Sequence, residues 1–357
     1  MKKEHYIGLM SGTSMDGIDV VLCQIDKYAC QLIHATEYPF PAELKEKLLQ
    51  TIKGKKTLAQ IGRLHIELAE HFADAVNALL ETYAIDPKTV TAVGSHGQTL
   101  WHEPNGAYPF SMQLGDPSTL AVRTRIPVVA DFRAKDIALG GQGAPLAPAF
   151  HQFLFQEVHE SIAVVNIGGM ANITIPGREL TGYDTGPGNV LMDHWCQTHT
   201  GEMYDKDGAW AREGKVNFTL LEDMLNDRYF HQPHPKSTGR EKFNEGWINH
   251  FIGEVPPKSE DVQRTLLELT AITICNELLK FQRDIAVLSG GGAKNSFLVE
   301  RIKAVMPNIT VIIAENADEI EAMMMAWLAY KRIHNEHVNL KDVTGARENG
   351  ILGGVYR

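Results

Sequence analysis

Along the first forty residues the apolar positions come in short runs and alternations rather than at helical spacing. "HYIGLMS" (5–11) and "GIDVVLCQID" (17–26) read as two strands joined by a glycine-rich turn, and "ACQLIHATEY" (29–38) reads as a third. The period then changes. "AELKEKLLQTI" (42–52) and "LAQIGRLHIELAEHFADAVNALLETYA" (58–84) carry apolar residues at helical spacing, the second for about seven turns. "VTAVGSHGQT" (90–99) is a short strand ending in a polar loop, and "IPVVADFRAKD" (126–136) repeats that plan.

The second half starts afresh. "SIAVVNIGGMANITI" (161–175) is again strand, glycine turn, strand. "LTGYDTGPGNVLMDHWCQ" (180–197) reads as a loop feeding a helix, and "DVQRTLLELTAITICNELLKF" (261–281) as a long helix. "DIAVLSGGGAKNSFLVERIKAV" (284–305) is strand, glycine turn, helix; "ITVIIAENADEIEAMMMAWLAY" (309–330) is strand, then helix. Each half thus opens with a glycine hairpin, as after a duplication. Strands alternating with helices predict an α/β protein. Gly and Pro concentrate in "RAKDIALGGQGAPLAP" (133–148), which puts the domain boundary near 130–140 and divides the chain into 1–135 and 136–357, with the last residues able to return to the first domain.

Composition narrows the function. The 357 residues are 44% apolar, enough for sizeable cores, and the net charge of −10 argues against nucleic acid or an anionic membrane as partner. No apolar run is long enough for a membrane span or a secretory signal. Cys23, Cys30, Cys196 and Cys275 are scattered, so the expectation is a cytoplasmic protein with reduced thiols. His231 and His234 in "HQPHP" lack a third ligand nearby, which argues against a structural zinc.

Three loops have the composition of a phosphate cradle, because close approach of backbone N–H groups to an anion is easiest where no Cβ intervenes. The first is "SGTSMDG" (11–17), where Ser11, Thr13 and Ser14 add hydroxyls; Asp16 could hold a water of a phosphate-bound Mg²⁺, or the stretch could be a plain hairpin turn. Its G-T-S-M letters also surround a serine-protease nucleophile, but in that class the serine comes after the aspartate and the histidine, whereas Ser14 precedes nearly everything. The second is "NIGGMAN" (166–172) and the third "SGGGAKN" (289–295). Between them, "GYDTGPGN" (182–189) surrounds Asp184 with Gly182, Gly186 and Gly188; the acid reads either as a general base or as a turn residue. Ser95, His96, Gln98, Asp131, Arg133 and Lys135 follow strands in the first half, where α/β folds bind ligands, and Arg133 suits a carboxylate-bearing sugar.

Together, "GLMSGTSMDGIDVVL", "GSHGQT", "DFRAKDIALGGQGAPLAP", "VVNIGGMANIT", "YDTGPGN" and "LSGGGAKN" closely resemble the anhydro-N-acetylmuramic acid kinases, from residue 7 to the C-terminus. The resemblance implies two duplicated actin-like (ribonuclease H-like) domains with a nucleotide cleft between them, as in sugar kinases, Hsp70 chaperones and actin. It implies ATP with Mg²⁺: phosphates on Ser11, Gly12, Thr13, Ser14, Met15, Asp16 and Gly17 and on Asn166, Gly168, Gly169 and Asn172. Gly186 and Gly188 join that site, and adenosine lies near Gly290, Gly291, Gly292 and Asn295. It implies Asp184 as catalytic base and His96, Arg133 and Glu321 as sugar contacts. The reaction it implies is hydrolytic opening of 1,6-anhydro-N-acetylmuramic acid with phosphorylation of O6, in peptidoglycan recycling, by a homodimer. Two rivals stand beside it, a kinase of the same fold acting on another sugar and a nucleotide-gated binding protein without enzymatic activity.

Overall fold

Two sheets carry the fold, and they share one strand order. The computed structural model describes residues 3–12, 17–156, 161–253 and 257–357. Its strands are β1 Glu4–Ser11, β2 Gly17–Ile25, β3 Cys30–Pro39, β4 Val90–Ser95, β5 Gln98–Glu103, β6 Phe110–Leu114 and β7 Val128–Ala130. They continue as β8 Ile162–Ile167, β9 Met170–Ile175, β10 Thr181–Pro187, β11 Ile285–Ser289, β12 Thr310–Ile313 and β13 Gly354–Tyr356. The first sheet runs β3-β2-β1-β4-β7-β13, the second β10-β9-β8-β11-β12. In each, the first three strands in sequence form an antiparallel meander and the next two add in parallel beside the first. That order, third-second-first-fourth-fifth, is the one an actin-like (ribonuclease H-like) domain has, and here it occurs twice.

The chain forms two compact units, one comprising residues up to Leu154 together with Glu319–Arg357, the other Phe155–Asp318. The division therefore lies beyond a break at 135/136. The helices Phe132–Ala138 and Ala147–Leu154 belong to unit 1, where Phe150 and Phe153 pack on Trp327 with ring centroids 5.5 Å apart.

In unit 1 the helix Leu58–Thr82 begins at Thr57, whose side chain and that of Gln60 cap each other's backbone N–H. Its buried face, Leu64, Leu68, Phe72, Val76 and Leu79, covers the sheet. The helix Ile320–Ile333 packs against β1 and β4. It lies so close that a Cβ on Gly8 would collide with Ala322 O, and one on Gly94 with Met325 O. Gly8 and Gly94 are register partners, so the two glycines form one flat seat for the N-terminal turns that carry Glu321.

In unit 2 the helix Ser259–Leu278 is buried almost all round, with Val262, Leu266, Leu269, Ile274 and Leu278 in the core. The segment 181–187, expected as a loop, is instead strand β10, paired with β9 in a register that shifts between Asp184 and Gly186. Glycine weakens the local preference for strand, but burial against β9 overrides it, and the bulge absorbs the irregularity. Among the described residues no helix is long and apolar enough to cross a membrane.

Candidate functional site

Pairing in the second sheet brings residues of three sequence motifs into one row. Ser289 of β11 pairs with Asn166 of β8, Asn166 with Asn172 of β9, and Asn172 with Asp184 of β10. Register partners project to the same face, so these polar side chains form a continuous band ending at the one carboxylate.

The glycine loops close around that band. Gly168 and Gly169 turn the β8–β9 hairpin, and their carbonyls accept the N–H groups of Asn189 and Gly188 at 2.8 and 2.9 Å. A Cβ on Gly188 would collide with Gly168 O. Gly290 has φ +77°, and a Cβ there would lie 2.5 Å from Asn166 Oδ1; one on Gly292 would strike Ile167. At Gly186 the obstacle is Phe230, 2.7 Å from a built Cβ. At these four positions the neighbour that excludes a side chain is the chain itself. Gly168 and Gly291 differ: the nearest atoms to a Cβ lie at 3.5 and 4.0 Å, so the space beside them is open to a ligand. Asn295 is occupied as an N-cap, its Oδ1 accepting from Leu298 N–H at 3.0 Å.

Asp184 is partly exposed. Its Oδ2 accepts from Thr238 N–H at 2.9 Å, its N–H donates to Lys236 O at 3.1 Å, and its carbonyl accepts from Tyr229 Oη at 2.7 Å. Its low-dielectric surroundings push its pKa up to about 7; Thr238 N–H opposes this, the Glu241 charge adds to it and the Lys236 charge opposes it. Asn172 Oδ1 and Thr238 Oγ1, on the two residues adjoining Asp184, are buried oxygens without a protein hydrogen-bond partner.

In unit 1, His96 is buried in the link between β4 and β5. Its Nδ1 donates to Gly97 O at 2.8 Å, which leaves Nε2 to accept from Arg133 Nε and Nη2 at 3.2 and 2.8 Å. Burial, then the adjacent guanidinium, push the His96 pKa down to about 3. Arg133 Nη1 donates to Gly143 O at 2.6 Å, and burial lowers its pKa to about 10 against the charges of Glu321 and Asp136. The structure thus gathers His96, Arg133 and Glu321 into one electrostatic cluster. Asp136 organises the Gly-rich turn beside it, accepting from Gly143 N–H at 2.7 Å and Thr344 Oγ1 at 2.8 Å. Ser11, at the end of β1, donates to Gln98 Oε1 at 2.6 Å, and both are buried. Gly12 follows β1 and Gly17 opens β2; Thr13, Ser14, Met15 and Asp16, the metal candidate among them, lie outside the described residues.

The family model for anhydro-N-acetylmuramic acid kinase matches residues 4–357. The chain belongs to the anhydro-N-acetylmuramic acid kinase family. A relative of that name in Sulfurovum sp. (strain NBC37-1) is 65% identical, covering 100% of each chain. One in Vibrio vulnificus (strain CMCP6) is 48% identical over 99% of this chain and 98% of its own. A ROK family glucokinase from Streptomyces griseus, solved in complex with glucose and AMPPNP, is 15% identical over 92% of this chain and 99% of its own. Its TM-score is 0.43. As a member of the anhydro-N-acetylmuramic acid kinase family, the chain is an enzyme, a sugar kinase of cell-wall recycling.

The sequence reading passed over Tyr229, Lys236, Thr238 and Glu277. For Lys236 and Thr238 the signal is "HPKSTGRE" (234–241), a lysine and two hydroxyls in a Pro- and Gly-bounded loop; Tyr229 and Glu277 lie outside it.

Proposed function

We propose that this anhydro-N-acetylmuramic acid kinase uses ATP with Mg²⁺ to convert 1,6-anhydro-N-acetylmuramic acid into N-acetylmuramic acid 6-phosphate and ADP, with Asp184 as general base. The observation that carries this is the carboxylate itself: the only acid in the polar row Ser289–Asn166–Asn172–Asp184, oriented by Thr238 N–H, with its pKa pushed up to about 7. Asp184 takes a proton from water as the water oxygen bonds to C1. The C1–O6 bond breaks with its electron pair going to O6. O6 then bonds to the γ-phosphorus, and ADP leaves with the electrons of the broken P–O bond. Thr238 Oγ1 and Asn172 Oδ1, without protein partners, suit the attacking water.

Nucleotide binding is assigned to Asn166, Gly168, Gly169, Asn172, Gly186, Gly188, Gly290, Gly291, Gly292 and Asn295, with direct approach at Gly168 and Gly291, where space is open. Ser11, Gly12, Thr13, Ser14, Met15, Asp16 and Gly17 are assigned to the phosphates. Among the described residues no cluster of three His, Cys, Asp or Glu could hold a metal. Mg²⁺ would be held chiefly by phosphate oxygens and water, with Asp16 assigned to one of those waters. The ion would neutralise charge on the transferred phosphoryl group. His96, Arg133 and Glu321 are assigned to the sugar; a guanidinium already steadied by His96 and Gly143 is set to pair with the lactyl carboxylate. A cytoplasmic homodimer completes the reading, and light scattering of the purified chain tests the dimer.

A panel of sugars with ATP–Mg²⁺ in ¹⁸O-labelled water tests the whole. The expected result is ADP release stimulated by the anhydro sugar alone, with label on C1. Equal stimulation by an ordinary hexose, or no label at C1, contradicts it.

A further inference from the structure

Beside Asp184 lies an ion pair that the proposed reaction does not use. Lys236 Nζ and Glu277 Oε1 are 2.8 Å apart, with side chains 2% and 4% exposed. Glu277 also accepts from Tyr183 Oη at 2.9 Å and pairs with Lys280. Burial alone would raise the Glu277 pKa, but the bonds from Lys236, Lys280 and Tyr183 leave it lowered. The Lys236 ammonium lies 4.9 Å from the centre of the Tyr229 ring and 3.4 Å from Tyr229 O. A buried ion pair is a poor source of stability compared with apolar residues of the same volume, so its presence calls for a second reason.

We propose that Lys236, locked by its buried ion pair with Glu277, is the positioning residue of Asp184. This rests on the reading of Asp184 as base. The segment from Tyr229 to Thr238 touches Asp184 at three points: its carbonyl through Tyr229 Oη, its N–H through Lys236 O, and its carboxylate through Thr238 N–H. Lys236 sits between the other two contacts and ties the segment to the buried helix Ser259–Leu278. The same helix holds the far side of the bulge, where Thr270 Oγ1 lies 3.1 and 3.0 Å from the carbonyls of Pro187 and Gly188. The charged groups that act on Asp184 are Lys236 and Glu241; Tyr229, also packed against it, stays neutral because burial raises its pKa far above the working range. Glu277 offsets the lysine charge, so removing one partner or the other changes the net charge of the pair in opposite directions.

That opposition gives the test. The pH profile of kcat/KM is measured on the full chain with ATP–Mg²⁺ and the anhydro sugar, for wild type, Lys236→Met, Glu277→Gln and Asp184→Asn. Removing the lysine charge should move the acid limb up by roughly half a unit, about threefold lower kcat/KM on that limb. Removing the glutamate charge leaves the ammonium uncompensated and should move the limb down by a similar amount. Shifts of the same sign, or no shift in either variant, overturn the proposal, since a merely structural pair would lower activity without opposed titrations. Should Lys236→Met fail to fold, Glu277→Gln alone decides, by a downward shift or its absence. Normal turnover by Asp184→Asn would instead remove the base, whatever the pair does.

Discussion

Arg133 meets His96 with two donors on one acceptor, Nε and Nη2 both reaching the imidazole Nε2 at 3.2 and 2.8 Å. The ring is thereby fixed as the neutral tautomer with its proton on Nδ1, and burial beside the guanidinium keeps it uncharged. Lysine cannot reproduce a planar fork. Arg133→Lys should raise the KM for the sugar by about tenfold or more, equivalent to roughly 1.4 kcal/mol, and leave nucleotide affinity unchanged. Steady-state kinetics with each substrate varied in turn checks this; an unchanged sugar KM removes Arg133 from the sugar site.

Gly290 and Gly291 are adjacent yet differ in what a methyl group would meet. At Gly290 the positive φ and Asn166 Oδ1 both oppose it, whereas at Gly291 the nearest atom is 4.0 Å away. Gly290→Ala should therefore destabilise the fold, since φ +77° with ψ 170° is a conformation essentially restricted to glycine and costs a side-chain-bearing residue about 1–3 kcal/mol. Gly291→Ala should leave the melting temperature in place and weaken ATP binding. Calorimetry for stability and for nucleotide affinity separates the two, and unchanged ATP affinity in Gly291→Ala would free that position of contact.

Gly94→Ala tests the seat of the helix Ile320–Ile333. The added Cβ faces Met325 O, a backbone atom that cannot swing aside. Overpacking of this kind costs about 1–3 kcal/mol. It should also displace Glu321 at the head of the helix, so that sugar KM rises along with the loss of stability in urea. A variant as stable as wild type would show the seat to be looser than these contacts imply.

The opening strands of both halves were legible because the motifs at strand ends are bounded by glycine and the runs between them are apolar. The return of 319–357 to the first sheet was less so, for nothing in "EAMMMAWLA" says which sheet its apolar face covers; the glycines that receive it, Gly8 and Gly94, lie some three hundred and two hundred residues away. Strand β10 was hidden by its own glycines. Asp184 stood out by its setting, whereas the row linking it to Asn172, Asn166 and Ser289 is a property of register, which no local pattern reveals. Lys236 and Glu277 are 41 residues apart and meet only after folding.

Asp184 also makes stability depend on pH. Its pKa is about 7 in the folded chain against an ordinary 3.8. Between these values the folded state holds a proton that the unfolded state has released, so stability falls as pH rises through that window and levels off above it. Asp184→Asn, which can still accept from Thr238 N–H, removes the slope. The variant should be more stable than wild type at pH 8 and no more stable at pH 4, with a ceiling on the order of 4 kcal/mol that solvent at the partly exposed carboxylate reduces. Denaturant unfolding at the two pH values measures it; equal stabilities at pH 8 would mean that the carboxylate is not strained by burial.

The base itself is tested most directly by the turnover of Asp184→Asn. With saturating ATP–Mg²⁺ and anhydro sugar, sugar-dependent ADP release should fall by ~10²–10⁴-fold, while both ligands bind with near wild-type affinity. Turnover within a few-fold of wild type, at unchanged affinities, would contradict the assignment.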